Sequence, residues 1–366
     1  MKSHQLDYPL LTIVFFLVAF GLVALSSASV VLSQDTTDQN YYFLKHQLIY
    51  GFVLGLFLFL IVQRIPYHYW QKIAFPLIVA SIVFLSLVFI PQLGYSHGGA
   101  NRWISFGFFS IQPFEFVKIA FIIYLAALLS RKGEVKQILK ESLIPFLVII
   151  GITGIMLLFQ PNASALVILV IISGLLYFLA GINIFLIISV ILGTALTGFF
   201  VLIKTASYRM NRLTVFLHPE IDPQGIGYQI NQALLAIGSG GLFGLGLGHS
   251  IQKWKYLPEP IGDSIFAIIA EELGLIGAGI LVILFVLLAW RGLRIAKNAP
   301  DKFGFLLAGG ITGWFFFQAF INMAAISALM PLTGMPLPFV SYGGSALVAS
   351  LIGVGILANI SRYSKG

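Results

Sequence analysis

The chain has 366 residues, of which 59% are hydrophobic and 9% are charged, and its formal net charge at pH 7 is +8. Together with a mean hydropathy of +0.98, this composition excludes a soluble multidomain protein and indicates a chain that lies mostly in lipid. The basic excess is typical of short loops that face anionic lipid, so we expect no nucleic-acid partner. The absence of cysteine excludes disulfides, thiol catalysis and Cys-ligated metals.

Ten apolar runs are long enough to cross about 30 Å of hydrocarbon, which takes roughly 20 residues per helix. They cover residues 8–32, 46–63, 73–91, 114–130, 143–159, 164–181, 184–203, 263–290, 303–329 and 344–360. The sequence therefore predicts an all-α polytopic membrane protein, a single transmembrane domain over 1–366 with about ten transmembrane helices.

Orientation follows from the cations in the short loops, because Lys and Arg concentrate on the cytoplasmic side. With both termini inside, the inner segments hold most of the Lys and Arg residues, whereas the short outer loops hold only Lys45 and Arg102. Four polar segments then lie outside, and we expect any chemistry there. They are 92–113, 160–163, 204–262 (the large loop between the seventh and eighth helices) and 330–343.

The stretch 92–118 combines a turn-rich segment with the start of the fourth helix and contains the charged residues Arg102, Glu115 and Lys118. Glu115 and Lys118 are three residues apart and share one helical face, so they can pair inside the membrane. An internal ion pair and an anion-binding lysine are both open interpretations. Arg102, followed by Trp103, is either an interfacial anchor or a second anion-binding cation.

The large loop contains a further pair of cations and a glycine run. Arg209 and Arg212 are about one turn apart and can hold either a phosphate or lipid headgroups, and Tyr228 and Gln229 begin the next helix. The glycines of 238–248 match neither phosphate-binding fingerprint. They favour close helix packing or a re-entrant backbone.

Asp263 is the most informative single residue. Pro258, Pro260 and Gly262 break any helix before it, so it lies at or near a helix N-terminus, as a simple cap or as a general base facing a cavity. Glu271 and Glu272 lie about two turns deeper and point to different faces.

The last outer loop, MPLTGMPLPFVSYGGS, is rich in proline and glycine at membrane depth. Irregular backbone is tolerated there only next to protein or water, so we interpret this loop as a cavity wall. Gln318 and Asn322 in the preceding helix face the same way. The sequence has no metal-ligand cluster, although a divalent ion held mainly by substrate phosphates remains open.

Several motifs together resemble the SEDS family (shape, elongation, division and sporulation). They are GANRW followed by QPFEFVK, YQINQALLAIGSGG, GHSIQKWKYLPE, DSIFAIIAEELG and LTGMPLPFVSYGGS. They occur in the family's order over nearly the whole chain. The segment GHSIQKWKYLPE is closer to the division-type member FtsW, or its sporulation relative, than to the elongation-type RodA.

The resemblance implies ten helices with both termini cytoplasmic, and an enzyme in the bacterial cytoplasmic membrane that polymerises lipid II into β-1,4 peptidoglycan strands at the outer face. It implies a class B penicillin-binding protein as transpeptidase partner, together with other division proteins. The family's essential loop aspartate corresponds to Asp263. Mg²⁺ or Mn²⁺, bound mainly through the substrate pyrophosphate, is the expected cofactor.

The reaction implied by the resemblance inverts configuration, so it needs a base for the acceptor 4-hydroxyl and cations for the leaving pyrophosphate. Asp263 is the expected base. The candidate substrate-binding residues are Arg102, Glu115, Lys118, Arg209, Arg212, Tyr228, Gln229, Asn322, Ser341 and Tyr342.

Three departures from the family pattern and two rival functions accompany this prediction. Ile261-Gly262 replaces the usual His-Thr before the aspartate, and Asn162 replaces an acid in the turn after the fifth helix. The stretch 330–334 reads MPLTG where the family often has LPTTG. The rivals are a carrier that flips lipid II across the membrane and a non-catalytic division scaffold. Polar residues concentrated near one face favour the enzyme over the carrier.

Overall fold

The computed structural model describes residues 6–97, 100–107, 109–131, 133–183, 216 and 226–364. Within these ranges, six helices are long and apolar enough to cross a membrane. They are Tyr8–Ala28, Tyr42–Val62, Val135–Phe159, Ile265–Lys297, Lys302–Ile326 and Gly344–Ser361. Two shorter apolar helices, Ala74–Phe89 and Ala163–Leu179, accompany them.

The helices are numbered along the chain. They are α1 (Tyr8–Ala28), α2 (Val30–Thr37), α3 (Tyr42–His46), a π-helical turn (Gln47–Val53), α4 (Leu54–Val62), α5 (Tyr67–Lys72), α6 (Ala74–Ser86), a 3₁₀ turn (Leu87–Phe89), α7 (Pro113–Leu129), α8 (Val135–Phe159), α9 (Ala163–Leu179), α10 (Ile226–Gly240), α11 (Ile265–Lys297), α12 (Lys302–Ile326) and α13 (Gly344–Ser361). The strands are β1 (Gly94–His97), β2 (Ala100–Ser105) and β3 (Ser110–Ile111).

The predicted spans agree with these helices. Every predicted run except the seventh coincides with a described helix, and the seventh, 184–203, lies outside the described residues. The predicted tight turn is confirmed, because α8 ends at Phe159 and α9 begins at Ala163. The all-α polytopic membrane fold is therefore confirmed, apart from the short strands.

The core lies around α12 and α13. In the apolar 18-residue stretch of each of these helices, 78% is buried, compared with 39% in α1 and 33% in α11. Nearly every residue of α7 is buried as well. These three helices are buried on nearly all sides, which is typical of helices inside a bundle, whereas α1 and α11 keep a face toward lipid.

The prediction of a turn-rich loop over 92–113 was wrong in part. The segment forms an antiparallel sheet in the order β1-β2-β3, with an irregularity between Tyr95 and Ser96. Ile104 on β2 is buried. The glycines suggested turns, but strand pairing satisfies the backbone polar groups of a segment packed against the helices.

The start of α1 and the end of α13 meet on one face of the bundle, called the Asp7 face below. The Asp7 carboxylate caps α1 by accepting a hydrogen bond from Leu10 N at 2.9 Å, and it pairs with Arg291 at 2.8 Å. The Asp7 backbone N–H donates to Ser361 Oγ at 3.2 Å. The start of α1 and the end of α13 are therefore fixed to each other on this face.

A second set of contacts closes the same face. Asp301 caps α12 through Gly304 N at 2.9 Å, accepts a hydrogen bond from the Tyr67 hydroxyl and contacts His68 Nε2 at 3.0 Å. Asn359 on α13 accepts from Tyr67 N and donates to the Gln63 carbonyl, both at 2.8 Å. The start of α5, the start of α12 and the end of α13 are thereby joined. The opposite face carries Asp263 and is called the Asp263 face.

Candidate active site

Asp263 lies one residue before the N-cap of α11, which is Ser264. The prediction that it lies near a helix start is confirmed. The Asn322 side-chain amide donates to the Asp263 carbonyl oxygen at 2.8 Å and to the Met335 carbonyl oxygen at 2.7 Å. One buried amide therefore fixes the backbone of Asp263 against the Pro/Gly-rich loop, and the carboxylate takes no part in this clamp.

The loop 330–343 is held along the same segment by two further contacts. Ser341 Oγ accepts from Leu337 N at 2.8 Å and donates to the Gly262 carbonyl at 2.6 Å, and Tyr342 N donates to the Ile261 carbonyl at 2.8 Å. These hydrogen bonds satisfy backbone groups that a regular helix would pair within itself and that the irregular loop cannot. The loop therefore packs directly beside Asp263, and its predicted role as part of an outer cavity wall stays a prediction.

Helix α10 approaches from another side. The Gln229 amide donates to Ser264 Oγ at 3.0 Å, so the N-cap residue of α11 is itself positioned. Tyr228, the preceding residue, is half-buried. Gln229, Asn322 and Ser341, all predicted site residues, thus meet around the backbone on either side of Asp263.

The Tyr342 side chain points toward the π-helical turn after α3. Its hydroxyl lies 3.1 Å from His46 Nδ1, and Gly343 N donates to Gln47 Oε1 at 3.0 Å. Burial, and then the nearby Tyr42, raise the pKa of the Tyr342 hydroxyl above its usual range, so the hydroxyl remains neutral and can donate. The sequence offered no signal for His46 and Gln47, which lie in an ordinary apolar run.

Lys118 and Glu115 form the buried ion pair that was one of the two open interpretations. Their side chains are 1% and 3% exposed and lie 2.8 Å apart. Lys118 Nζ also donates to Gln318 Oε1 at 2.8 Å, Trp314 Nε1 donates to the same oxygen at 2.7 Å, and the Gln318 amide donates to the Pro336 carbonyl at 2.8 Å. The pair therefore supports the 330–343 loop from below; substrate contact by either residue stays a prediction.

Arg102 lies on β2 and reaches the turn between α8 and α9. It donates to the carbonyl oxygens of Gln160, at 3.3 Å, and Pro161. Just beyond that turn, Ser164 Oγ donates to the Thr333 carbonyl. The contacts connect Arg102 to the wall that borders Asp263, since a Cβ on Gly334 would lie 3.7 Å from Asp263 Oδ2. Arg209 and Arg212, the other predicted cations, lie outside the described residues.

Glu271 and Glu272 hold the segment 248–254. Glu271 accepts from the Ser250 hydroxyl and from Ile251 N at 2.9 Å. Glu272 pairs with Lys253 at 2.9 Å, with both side chains almost fully buried, and accepts from Ser27 Oγ of α1 at 2.6 Å. The two carboxylates converge on the same segment, since Ser250 donates its hydroxyl to Glu271 and its backbone N–H, at 3.3 Å, to Glu272.

Helix α11 is broken where this loop contacts it. Gly274 has φ 66° and ψ −166°, outside the helical region, and a Cβ there would lie 2.4 Å from Gly244 N. The predicted span 263–290 therefore coincides with a helix that contains a break, which the sequence did not predict. Residues 265–273 form a separate first half, buried on nearly all sides, because the glycine run packs against the break.

Close packing by the glycine run leads to a matched pair of substitutions in α10. A Cβ on Gly240 would lie 1.9 Å from the Ala270 carbonyl oxygen, whereas a Cβ on Gly238 meets nothing within 4 Å. We expect Gly240→Ala to lower the free energy of unfolding by about 1–3 kcal/mol through overpacking. Gly238→Ala should be neutral or slightly stabilising, because alanine favours a helix. Thermal unfolding of both variants in detergent measures the difference; equal midpoints would contradict the close approach.

The described residues provide one carboxylate at the mouth of a half-helix, backbone carbonyls and amides around it, and no group of three or more His, Asp and Glu side chains that fits a metal ion. A carboxylate held through its backbone, with its side chain outside the clamp, can accept a proton from a bound hydroxyl. The site suits acid–base chemistry on a substrate that brings its own phosphate charge.

Comparison with known proteins places this architecture among membrane proteins of wall synthesis. The family model described as Cell cycle protein, which covers FtsW, RodA and SpoVE, matches residues 8–366. The chain is 40% identical to Stage V sporulation protein E of Bacillus subtilis, over 100% of this chain and 99% of that protein. It is 42% identical to a probable peptidoglycan glycosyltransferase FtsW of Trichlorobacter lovleyi, over 100% and 95% of the two chains.

Two solved structures share the fold. One is a chain of a peptidoglycan synthase complex, described for its structural coordination of polymerization and crosslinking, with a TM-score of 0.80, 26% identity and 98% of each chain covered. The other is the rod shape determining protein RodA of Thermus thermophilus, with a TM-score of 0.71, 27% identity and 98% of each chain covered.

Proposed function

This chain belongs to the family of FtsW, RodA and SpoVE, and we propose that it is a peptidoglycan glycosyltransferase that polymerises lipid II during cell division or wall growth. The observation that carries the proposal is Asp263, held by its backbone at the mouth of the α11 half-helix. In a non-catalytic scaffold, Asp263 would be needed only as the residue that caps α11. The N-cap position of α11 is occupied by Ser264 instead.

The reaction we propose is an inverting glycosyl transfer. The acceptor 4-hydroxyl oxygen attacks C1 of the donor sugar, which is α-linked to undecaprenyl pyrophosphate. The new β-1,4 bond forms as the bond from C1 to the pyrophosphate oxygen breaks, and the hydroxyl proton passes to the Asp263 carboxylate. General-base assistance of this kind contributes about 10²- to 10⁴-fold to a rate.

The leaving pyrophosphate requires positive charge. Among the candidate cations, Arg102 donates to the turn carbonyls and Lys118 to Glu115 and Gln318. To bind substrate, either cation would direct an N–H donor at a phosphate oxygen, with or without giving up a protein partner. The part-buried Arg102 can do so at lower cost than the fully buried Lys118. Arg209 and Arg212 complete the proposed set.

We further propose a divalent cation, Mg²⁺ or Mn²⁺, held mainly by the substrate pyrophosphate. The described residues fit this arrangement, because Asp263 supplies a single carboxylate and no three-ligand cage surrounds it, and Mg²⁺ commonly uses one or two protein carboxylates together with phosphates. When bound, the ion would neutralise charge that develops on the pyrophosphate.

Chelation tests the metal separately from the fold. Excess EDTA should abolish strand synthesis, and excess Mg²⁺ or Mn²⁺ should restore it. The thermal unfolding midpoint should stay unchanged, because the ion is held by substrate. Full activity in the chelator would contradict the proposal, and a fall in the midpoint would point to an ion held by the protein itself.

The proposed location is the bacterial cytoplasmic membrane, with the Asp263 face outward and the basic loops of the Asp7 face in the cytoplasm. The proposed partner is a class B penicillin-binding protein, supported by the similarity to a chain of a peptidoglycan synthase complex; other division proteins belong to the same proposal. Such a partner would supply the transpeptidase that crosslinks the finished strands.

The deciding experiment is strand synthesis from purified lipid II by the chain co-purified with its partner, with the transpeptidase blocked. Long glycan strands resolved by gel electrophoresis support the proposal. Absence of strands, with lipid II crossing the bilayer of protein-containing vesicles, would replace it with a carrier. If a folded sample shows neither strand synthesis nor lipid II crossing, the remaining interpretation is the non-catalytic scaffold.

A further inference from the structure

The glycine-rich segment 241–247 presents a row of large apolar side chains to the exterior. Leu242, Phe243, Leu245 and Leu247 are 60%, 79%, 42% and 52% exposed. Leu275 and Ile276, just past the break in α11, extend the same surface at 64% and 51%. Phe243 is the most exposed of the large apolar side chains in the described residues. Contiguous apolar surface of this kind marks contact with a membrane or another protein.

The depth of this surface in the membrane follows from the number of helical residues that separate it from the Asp7 face. α1 has 21 residues from Tyr8 to Ala28, which at 1.5 Å per residue spans about 31 Å, the thickness of the hydrocarbon. The pairing of Asp7 with Arg291 puts Arg291 level with the start of α1. Counting about 20 residues from Arg291 toward the start of α11 covers the same hydrocarbon thickness and reaches the other boundary near Glu271.

A direct contact supports the count. Ser27, one residue before the end of α1, donates to the Glu272 carboxylate at 2.6 Å. Both helices therefore reach the hydrocarbon boundary of the Asp263 face at the same height. Leu275 and Ile276 lie about one turn below that boundary, on the lipid side.

Backbone pairing fixes the glycine segment at this height. Leu245 N and Gly246 N donate to the carbonyls of Glu271 and Glu272 at 2.9 and 3.0 Å. In return, Leu275 N and Ile276 N donate to the carbonyls of Gly241 and Leu242 at 2.9 and 3.2 Å. The break at Gly274 frees these helical groups, and the loop satisfies them. Irregular backbone at membrane depth requires this kind of pairing.

We infer that residues 241–247 form a re-entrant loop that inserts into the leaflet on the Asp263 face, with phospholipid acyl chains as the occupant of its apolar surface. Charge complements this placement, because the charged side chains of Glu271, Glu272 and Lys253 are bonded to one another and to the following segment 248–254, which leaves only apolar side chains and glycines in 241–247. Trp254 and Tyr256, 63% and 52% exposed, follow the loop and suit the headgroup level. The loop thereby anchors the half-helix that leads to Asp263.

The chain contains no cysteine, so single-cysteine labelling tests this inference without background and without any activity measurement. Phe243→Cys carries the test label, a bimane fluorophore, in the purified full chain reconstituted without a partner in phosphatidylcholine vesicles. Ile283→Cys, 57% exposed in the middle of α11, is the lipid control. Thr36→Cys, exposed in α2 beyond the end of α1, is the water control.

We expect lipid-borne nitroxides placed near the glycerol level to quench the label at position 243 more strongly than the label at 283. Aqueous iodide should quench position 243 several-fold less than position 36. Iodide quenching at 243 equal to that at 36 would overturn the inference. Leu242→Cys repeats the test at a neighbouring site, so that poor folding of one variant does not decide the result. Because no substrate is present, failure in this assay leaves the proposed glycosyltransferase activity untouched.

Discussion

Asp263→Asn is expected to abolish glycan-strand synthesis in a protein that remains folded. Asparagine has nearly the same size as aspartate, and the substitution keeps the backbone carbonyl of residue 263 that accepts the hydrogen bond from Asn322. The amide cannot accept the proton of the acceptor hydroxyl, so the rate should fall by about 10²- to 10⁴-fold. Strand synthesis from lipid II, followed over time with the partner transpeptidase blocked, measures the loss.

The matched control is Asp35→Asn, which removes the same charge on the same face. Asp35 pairs with Lys255 at 2.7 Å, but the two side chains are 39% and 70% exposed, and such surface pairs contribute little. This variant should keep the wild-type rate. If Asp263→Asn also keeps it, Asp263 is not the base, whatever the fate of the glycosyltransferase proposal.

Lys118→Met is expected to cause a larger loss of stability than Gly240→Ala. It leaves the Glu115 carboxylate buried without its cation, and breaking a buried pair in this way costs about 3–5 kcal/mol. It also removes the hydrogen bond to Gln318, which supports Pro336 in the loop beside Asp263. Thermal unfolding in detergent should show a clear fall in the midpoint.

The double variant Lys118→Met with Glu115→Gln separates structure from substrate binding. Without either charge, much of the lost stability should return, since neutral isosteres avoid the burial penalty. If the pair is only structural, the stable double variant should keep its KM for lipid II. A large rise in KM at restored stability would assign Lys118 to pyrophosphate binding, as its motif predicts. No recovery in the double variant would contradict the ion-pair account.

The sequence predicted the helices well because transmembrane runs are long and apolar, so the boundaries near Phe159 and Ala163 follow from composition, although the first predicted run, 8–32, extends past the end of α1 at Ala28. It also predicted that Gln318 and Asn322 share a face, since that needs only helical spacing. The backbone atoms that these amides bind, at Pro336 and Asp263, lie far away in sequence or in an irregular loop. No periodic pattern encodes such contacts.

Other features were missed for different physical reasons. The strands between Gly94 and Ile111 are too short and too rich in glycine for alternation to show. The break at Gly274 was missed because a lone glycine is usually tolerated in a helix; only the approach of Gly244 to the same backbone explains it. Arg209 and Arg212 stay predictions, because they lie outside the described residues.

The closed Asp7 face bears on how lipid-linked material moves through the molecule. A carrier that works by alternating access must part its helices first on one side and then on the other. In this fold the start of α1, α5, α12 and the end of α13 are fastened together by capping carboxylates, an ion pair and paired amides. An inward-open state that parts these helices would have to break these contacts. We therefore expect both sugar donor and acceptor to enter sideways from the leaflet beside Asp263, and the finished strand to leave from that same side.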